Sequence, residues 1–199
     1  MNDTTRAEAM AVLEEGARAV LRGIGMLGVD TSGEDFNDTP RRVARAFAEF
    51  VAGADDTAGR LHAIVSTSFP SGRYNEMVVE KDITAVSLCP HHLLPVHYRV
   101  TVGYVPGRDG RVLGLSKLAR LAHLLAARPV LQETFTMELA QALDSISPAG
   151  VGVMVRGEHD CMRSRGVRQQ SPVFTSRLTG IMLENPASRA EFLSLAQGR

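Results

Sequence analysis

The chain has 199 residues, 44% of them hydrophobic, and its 22 Lys+Arg balance 22 Asp+Glu. That length suits one domain, or one domain with a helical extension, and supplies enough apolar residues for a core. Zero net charge excludes a general electrostatic affinity for nucleic acid or for an anionic membrane. No apolar stretch approaches the ~20 residues of a membrane span. Glu14, Glu15 and Arg18 interrupt the early apolar stretch where a signal peptide would need its hydrophobic region. The expectation is a soluble protein of the reducing cytoplasm.

In chain order, Ala9, Val12, Leu13, Ala17, Val20, Leu21 and Ile24 recur at helical spacing and predict an amphipathic helix over about 5–27. A polar loop follows, and Asp38-Thr39-Pro40 opens a second helix with an N-cap and a proline at the first helical position. That helix runs to about Val51 and buries Val43, Phe47 and Phe50. After a loop holding Pro70 and Gly72, β-branched residues predict a strand over 77–84. A second strand over 97–105 alternates Tyr98, Val100, Val102 and Tyr104 with other residues. Helices are predicted over 115–127, with Ser116 as N-cap, and from Pro129 to about Ile146. Strands over 151–156 and 173–183 and a short helix over 187–195 complete the chain. Pairs of helices and pairs of strands in this order make an antiparallel α+β arrangement, not a wound parallel sheet.

Both cysteines stand beside histidines, in Cys89-Pro90-His91-His92 and His159-Asp160-Cys161. Thiolate sulfur and imidazole nitrogen favour zinc, and Cys89, His92 and Cys161 as ligands leave a fourth tetrahedral position for water. His91 and His159 then remain beside the metal as acids or bases. Spacing alone leaves two alternatives open. A free cysteine is often a small apolar core residue, and an exported chain could join Cys89 to Cys161 as a disulfide.

Three further groups carry chemistry. Gly114-Leu115-Ser116-Lys117-Leu118-Ala119-Arg120 combines a helix start with two cations three residues apart, suited to an anion or to a solvated basic face. Gln132-Glu133 offers an amide beside a carboxylate, suited to a base edge or simply to the helix dipole. Arg163, Arg165 and Arg168 follow Cys161 and suit phosphates, or one polar face of a strand.

Taken together, in this order and at these separations, the motifs resemble GTP cyclohydrolase I, the zinc enzyme that opens pterin biosynthesis. Asp38-Thr39-Pro40-Arg41-Arg42-Val43-Ala44 and Arg189-Ala190-Glu191-Phe192-Leu193 add to the resemblance, which covers about residue 36 onward. It implies a tunnelling fold (T-fold) over 56–199, preceded by an N-terminal helical extension over 1–55. Sheets of several subunits would join into a barrel, two pentamers would make a homodecamer, and active sites would lie at subunit boundaries. Zn2+ would be held by Cys89, His92 and Cys161. Ser116, Lys117, Arg120 and Arg165, with Arg42 subsidiary, would bind the triphosphate of GTP, and Gln132 and Glu133 its guanine.

The implied reaction is hydrolysis at C8, loss of formate, an Amadori rearrangement of the ribose and closure to 7,8-dihydroneopterin triphosphate, the first step toward tetrahydrofolate. His159 would be the acid for the departing imidazole nitrogen and His91 an acid–base in the later steps. Two neighbouring readings are a paralogue running the same reaction for a deazapurine pathway, and a non-catalytic zinc-stabilised assembly module. In the latter, His91, His159 or Asp160 would close the metal's fourth position. Position 90 is proline where the family usually carries glutamate, and 169–176 is poorer in Thr and Ser than usual.

Overall fold

Alternating apolar residues in four long strands build the sheet around which the chain is arranged. The computed structural model describes residues 2–72, 74–146 and 148–198. Helices α1 (Asp3–Met26) and α2 (Thr39–Phe50) pack on each other and are followed by α3 (Thr57–Val65) and the short strand β1 (Ser68–Pro70). Strands β2 (Val78–Leu88) and β3 (Pro95–Val105) form a hairpin, and β4 (Arg111–Leu113) returns to pair with β1. Helices α4 (Ser116–Ala126) and α5 (Gln132–Asp144) then precede β5 (Gly150–His159), the single-turn α6 (Asp160–Arg163) and β6 (Val173–Leu178). Helices α7 (Gly180–Glu184) and α8 (Pro186–Gln197) complete the described chain. The main sheet has the order β2-β3-β5-β6 and is antiparallel throughout. Two strands, two helices and two strands form the expected α+β tunnelling-fold unit.

One sheet face makes the core. Val96, Tyr98, Val100, Val102 and Tyr104 of β3, with Val151, Val153 and Val155 of β5, are buried against Leu118, Leu121 and Leu125 of α4 and Phe135, Leu139 and Leu143 of α5. Each such side chain contributes about 1.5–3 kcal/mol on burial. Tyr98 stacks on Phe135 with ring centroids 4.8 Å apart, and the Leu113 amide donates to the Tyr104 hydroxyl at 2.9 Å. On the other face, Phe192 of α8 lies against Gly103 and Gly152, where the missing side chains make room for its ring.

Four expectations need correction. Helix α3 replaces an expected loop. Its start is capped by the Asp56 carboxylate, which accepts from the Gly59 amide at 3.2 Å, although Gly53 and the Asp55-Asp56 pair resemble loop sequence. Helix α5 begins at Gln132, not Pro129, because Pro129 forms a parallel bridge with Leu88 of β2: the Val130 amide donates to Leu88 O and Ser87 Oγ to Arg128 O. The strand expected over 173–183 stops at Leu178, since Gly180 turns the chain at φ 50° into α7. Leu115, not Ser116, occupies the N-cap of α4, without a side-chain cap. Among the described residues no helix is long and apolar enough to cross a membrane.

Phe192 is fully buried at the far end of the chain, so Phe192→Ala should destabilise the protein by about 3–5 kcal/mol. Thermal denaturation of the variant beside the parent chain checks this. An unchanged midpoint would mean that α8 is not bound to the sheet in solution.

Candidate metal centre and active site

The site forms where β2, β3 and β5 stop at the same end of the sheet. Leu88 lies opposite Pro95 and Val96 opposite His159, so the turn after β2 and the segment after β5 meet. The β2–β3 turn is tied by the Cys89 amide donating to Leu94 O at 2.9 Å and by Leu93 N–H donating to Cys89 O at 2.8 Å. Leu93 takes a left-handed φ of 53°, a conformation that costs a non-glycine residue roughly 1–2 kcal/mol. This tight wrap carries His92 back over Cys89, with Nδ1 3.6 Å from Sγ.

Cys161 arrives from the other side on α6. Its turn is held by polar contacts: Glu158 accepts from Arg156 and Arg163 at 2.7 Å each, and Asp160 Oδ2 lies 3.4 Å from His97 Nε2. As a result, one ligand atom each from Cys89, His92 and Cys161 lies within 4.8 Å of the others. Two sulfurs and an imidazole nitrogen at that spacing fit a tetrahedral ion of the zinc type with a position to spare. Burial, then the neighbouring Cys89 thiol, pushes the Cys161 thiol up, and the Arg165 charge opposes this. A bound cation reverses such a shift by stabilising the thiolate.

A cleft of about 260 Å³ opens on this group and is also lined by His91, Gln132, Glu133, His159 and Val130. His91 is exposed on its rim, with Nδ1 3.8 Å from Cys89 Sγ. His159 is half-buried. Burial lowers its pKa from the ordinary histidine value, while the nearby Glu133 charge acts in the opposite sense. Glu133, in the first turn of α5, is exposed to the cleft.

Gln132 behaves differently from its neighbour. It is 3% exposed, its Nε2 donates to Val155 O, Val173 O and Thr175 Oγ1, and its Oε1 receives His159 Nε2 at 2.9 Å. Thr136 Oγ1 donates to the Gln132 carbonyl and meets Thr175 Oγ1 at 2.6 Å. Gly157 is what leaves room for this amide, because a Cβ there would collide with Gln132 Oε1. Sequence reasoning missed Gly157, Thr136 and Thr175. Only their placement under α5 reveals them.

The basic residues do not all join the cleft within one chain. Arg165 stands on the exposed turn after Cys161, near enough for its charge to act on that thiol. Arg120 instead opens onto a separate depression of about 370 Å³ beside Arg60 and His123. Ser116 and Lys117 begin α4, just after Leu113 and its bond to Tyr104, whereas Arg128 beyond the other end of α4 touches Ser87 near Cys89. The length of α4, about 16 Å at 1.5 Å per residue, therefore separates them from the thiol end. Arg42 lies on α2 beside Asp38, 3.7 Å away.

Comparison with known proteins agrees with the motifs. Residues 14–197 match the family model of GTP cyclohydrolase I. The protein named GTP cyclohydrolase 1 of Dehalococcoides mccartyi is 42% identical over 173 residues, spanning 86% of this chain and 89% of its own. That of Mycobacterium ulcerans is 44% identical over 194 residues, spanning 96% and 93%. Among solved structures, an apo archaeosine synthase QueF-Like superposes with a TM-score of 0.43 at 21% identity, over 56% of this chain and 96% of that one.

Cys161→Ala removes one of three grouped ligand atoms at a half-buried position on the edge of the core. It should therefore lose bound metal while keeping the parent's secondary structure. Metal content measured beside circular dichroism decides, and retained stoichiometric metal would refute this ligand set.

Proposed function

The chain belongs to the GTP cyclohydrolase I family, and from that footing we propose that it hydrolyses GTP at C8, releases formate and forms 7,8-dihydroneopterin triphosphate. The observation that carries the reading is the meeting of Cys89, His92 and Cys161 with His159 and Glu133 in one cleft. Zinc, when bound by the first three, supplies the Lewis acidity that activates water near neutral pH. The chain's own residues do the rest. Glu133 accepts the N1–H and 2-amino donors of guanine and so sets the purine's orientation. His159 gives its proton to the imidazole nitrogen as the C8–N bond breaks. His91, on the rim, serves the later rearrangement and ring closure.

Ser116, Lys117, Arg120 and Arg165 hold the triphosphate by charge-assisted hydrogen bonds. The separation of the first three from the cleft of their own chain supports sites shared between copies. So do the open edges of β2 and β6, which pairing with neighbouring sheets would close. A homodecamer of two pentamers satisfies both. We retain the division into a helical extension over 1–55 and a catalytic domain over 56–199, and a cytoplasmic location with the product passing toward tetrahydrofolate. The reading of the metal as purely structural is disfavoured by the partners of two of its candidate fourth ligands. His159 is held by Gln132 and Asp160 by His97.

Incubating zinc-loaded protein with GTP should yield formate and, after oxidation, a fluorescent pterin. No formate from fully metallated protein would transfer the metal to a structural role. Within the active enzyme, Glu133→Gln should weaken GTP turnover and narrow its advantage over ATP. Adenine lacks the 2-amino group and the N1 proton, so ATP offers the carboxylate no donor to pair with. Arg120→Ala should weaken triphosphate binding for both nucleotides alike. Turnover with ATP as competitor separates the two, and wild-type selectivity in Glu133→Gln would leave Glu133 no part in base recognition.

A further inference from the structure

We propose that Gln132 does not recognise the base but acts as a positioning residue, holding His159 as the Nε2–H tautomer and leaving Nδ1 as the nitrogen that passes the proton. The catalytic part of this inference rests on the function proposed above; the tautomer itself does not.

The inference follows from donors and acceptors. The Gln132 side-chain nitrogen faces Val155 O at 3.2 Å and Val173 O at 3.0 Å, and carbonyl oxygens only accept. The amide therefore cannot be turned the other way, because its oxygen would then face two carbonyls. Its nitrogen also reaches Thr175 Oγ1 at 3.2 Å. That hydroxyl passes its own proton to Thr136 Oγ1, which donates in turn to the Gln132 carbonyl. The ring of donors is closed and polarised in one direction. Only Oε1 remains, and it lies 2.9 Å from His159 Nε2. An amide oxygen cannot donate, so Nε2 carries the hydrogen, and the partner of one ring nitrogen sets the state of the other. In the neutral ring the lone pair sits on Nδ1.

Burial completes the argument against base recognition. At 3% exposure, with both side-chain hydrogens and its oxygen engaged, Gln132 has no group left for a substrate. The cleft-facing member of the pair is Glu133. When the reaction runs, the charged imidazole gives the Nδ1 proton to the purine nitrogen, which keeps the electron pair of the breaking C8–N bond. The ring returns to neutral with Nε2–H unchanged against Gln132. Gly157, whose lack of a side chain admits the amide, belongs to the same device.

The test combines a spectrum with kinetics. Zinc-loaded protein carrying 15N-histidine is examined by solid-state NMR, and the His159 signals are identified by their loss in His159→Ala. Bare Nδ1 and protonated Nε2 are expected in the neutral ring of the parent, and a mixture of tautomers in Gln132→Met. An Nδ1–H tautomer in the parent would overturn the proposal whether or not the protein turns over GTP. In kinetics, Gln132→Met should lower kcat by about tenfold or more, within the 10²–10⁴ attributed to a general acid. KM for GTP and discrimination against ATP should stay within about twofold, as for an interaction made only in the transition state. In a His159→Ala background the same substitution should cost nothing further. A raised KM with relaxed base preference, or costs that add, would return Gln132 to substrate binding. Should Gln132→Met fail to fold, Gly157→Ala puts a Cβ where Gln132 Oε1 lies, displaces that oxygen from His159 Nε2, and should shift tautomer and kcat in the same direction. An unchanged spectrum and kcat in folded Gly157→Ala would likewise overturn the proposal.

Discussion

The cleft depends on strand register. With Ser87 opposite Val96 and Val96 opposite His159, three chain segments reach one end of the sheet with their working side chains toward the helices. Side chains alternate across a strand, so a slip of one residue in β5 would turn Gly157 and His159 to the opposite face and present Glu158 to α5. What prevents the slip is the buried row of Val151, Val153 and Val155, each fully enclosed. The chemistry is thus held by residues that take no part in it. The hydrogen bonds from Ser87 to Arg128 O and from Val130 to Leu88 O extend the constraint to the loop that launches α5, which fixes where Glu133 can stand.

Charge is distributed with the same economy. The chain is neutral as a whole, yet its thiol end and its basic α4 end lie apart. Placing Lys117 and Arg120 beside Cys89 and Cys161 in one chain would favour thiolates without a metal and invite oxidation. Bringing them in from a neighbouring copy, as proposed, leaves each folded subunit free of that concentrated field. Within the chain the Arg165 charge, with a backbone hydrogen bond at Cys161, acts on that thiol against the larger effects of burial and of Cys89.

The long elements were legible because their periodicity is strong. The strands around Ile83 and Val100, the two central helices and the paired N-terminal helices all follow from apolar spacing, with ends displaced by a few residues. The grouping of Cys89, His92 and Cys161 was legible from composition, since scarce residue types clustered twice. What could not be read were features set by partners distant in sequence. Pro129 looks like a helix start, and only the strand beside it draws Pro129 into a bridge with Leu88 instead. Gly157 and Thr175 are unremarkable residues until α5 is laid over them. That Arg120 opens onto a depression other than the cleft is likewise set by how α4 packs, which local spacing does not encode.

Gln132 and Glu133 show why a motif underdetermines a site. As neighbours in sequence they suggest one shared task, a paired grip on a base edge. On a helix, however, adjacent residues point about 100° apart, so a helix packed on a sheet cannot give both the same surroundings. One side chain must turn toward the sheet and the other toward the opening. The neutral amide is the one that can be buried, because carbonyls of β5 and β6 and an imidazole satisfy all its groups. A carboxylate in its place would face Val155 O and Val173 O with no hydrogen to offer, an unpaired buried charge costing several kcal/mol. The order glutamine then glutamate is therefore set by packing as much as by chemistry. The charged residue is left where a substrate can meet it, and the amide where it can only orient the histidine behind that substrate.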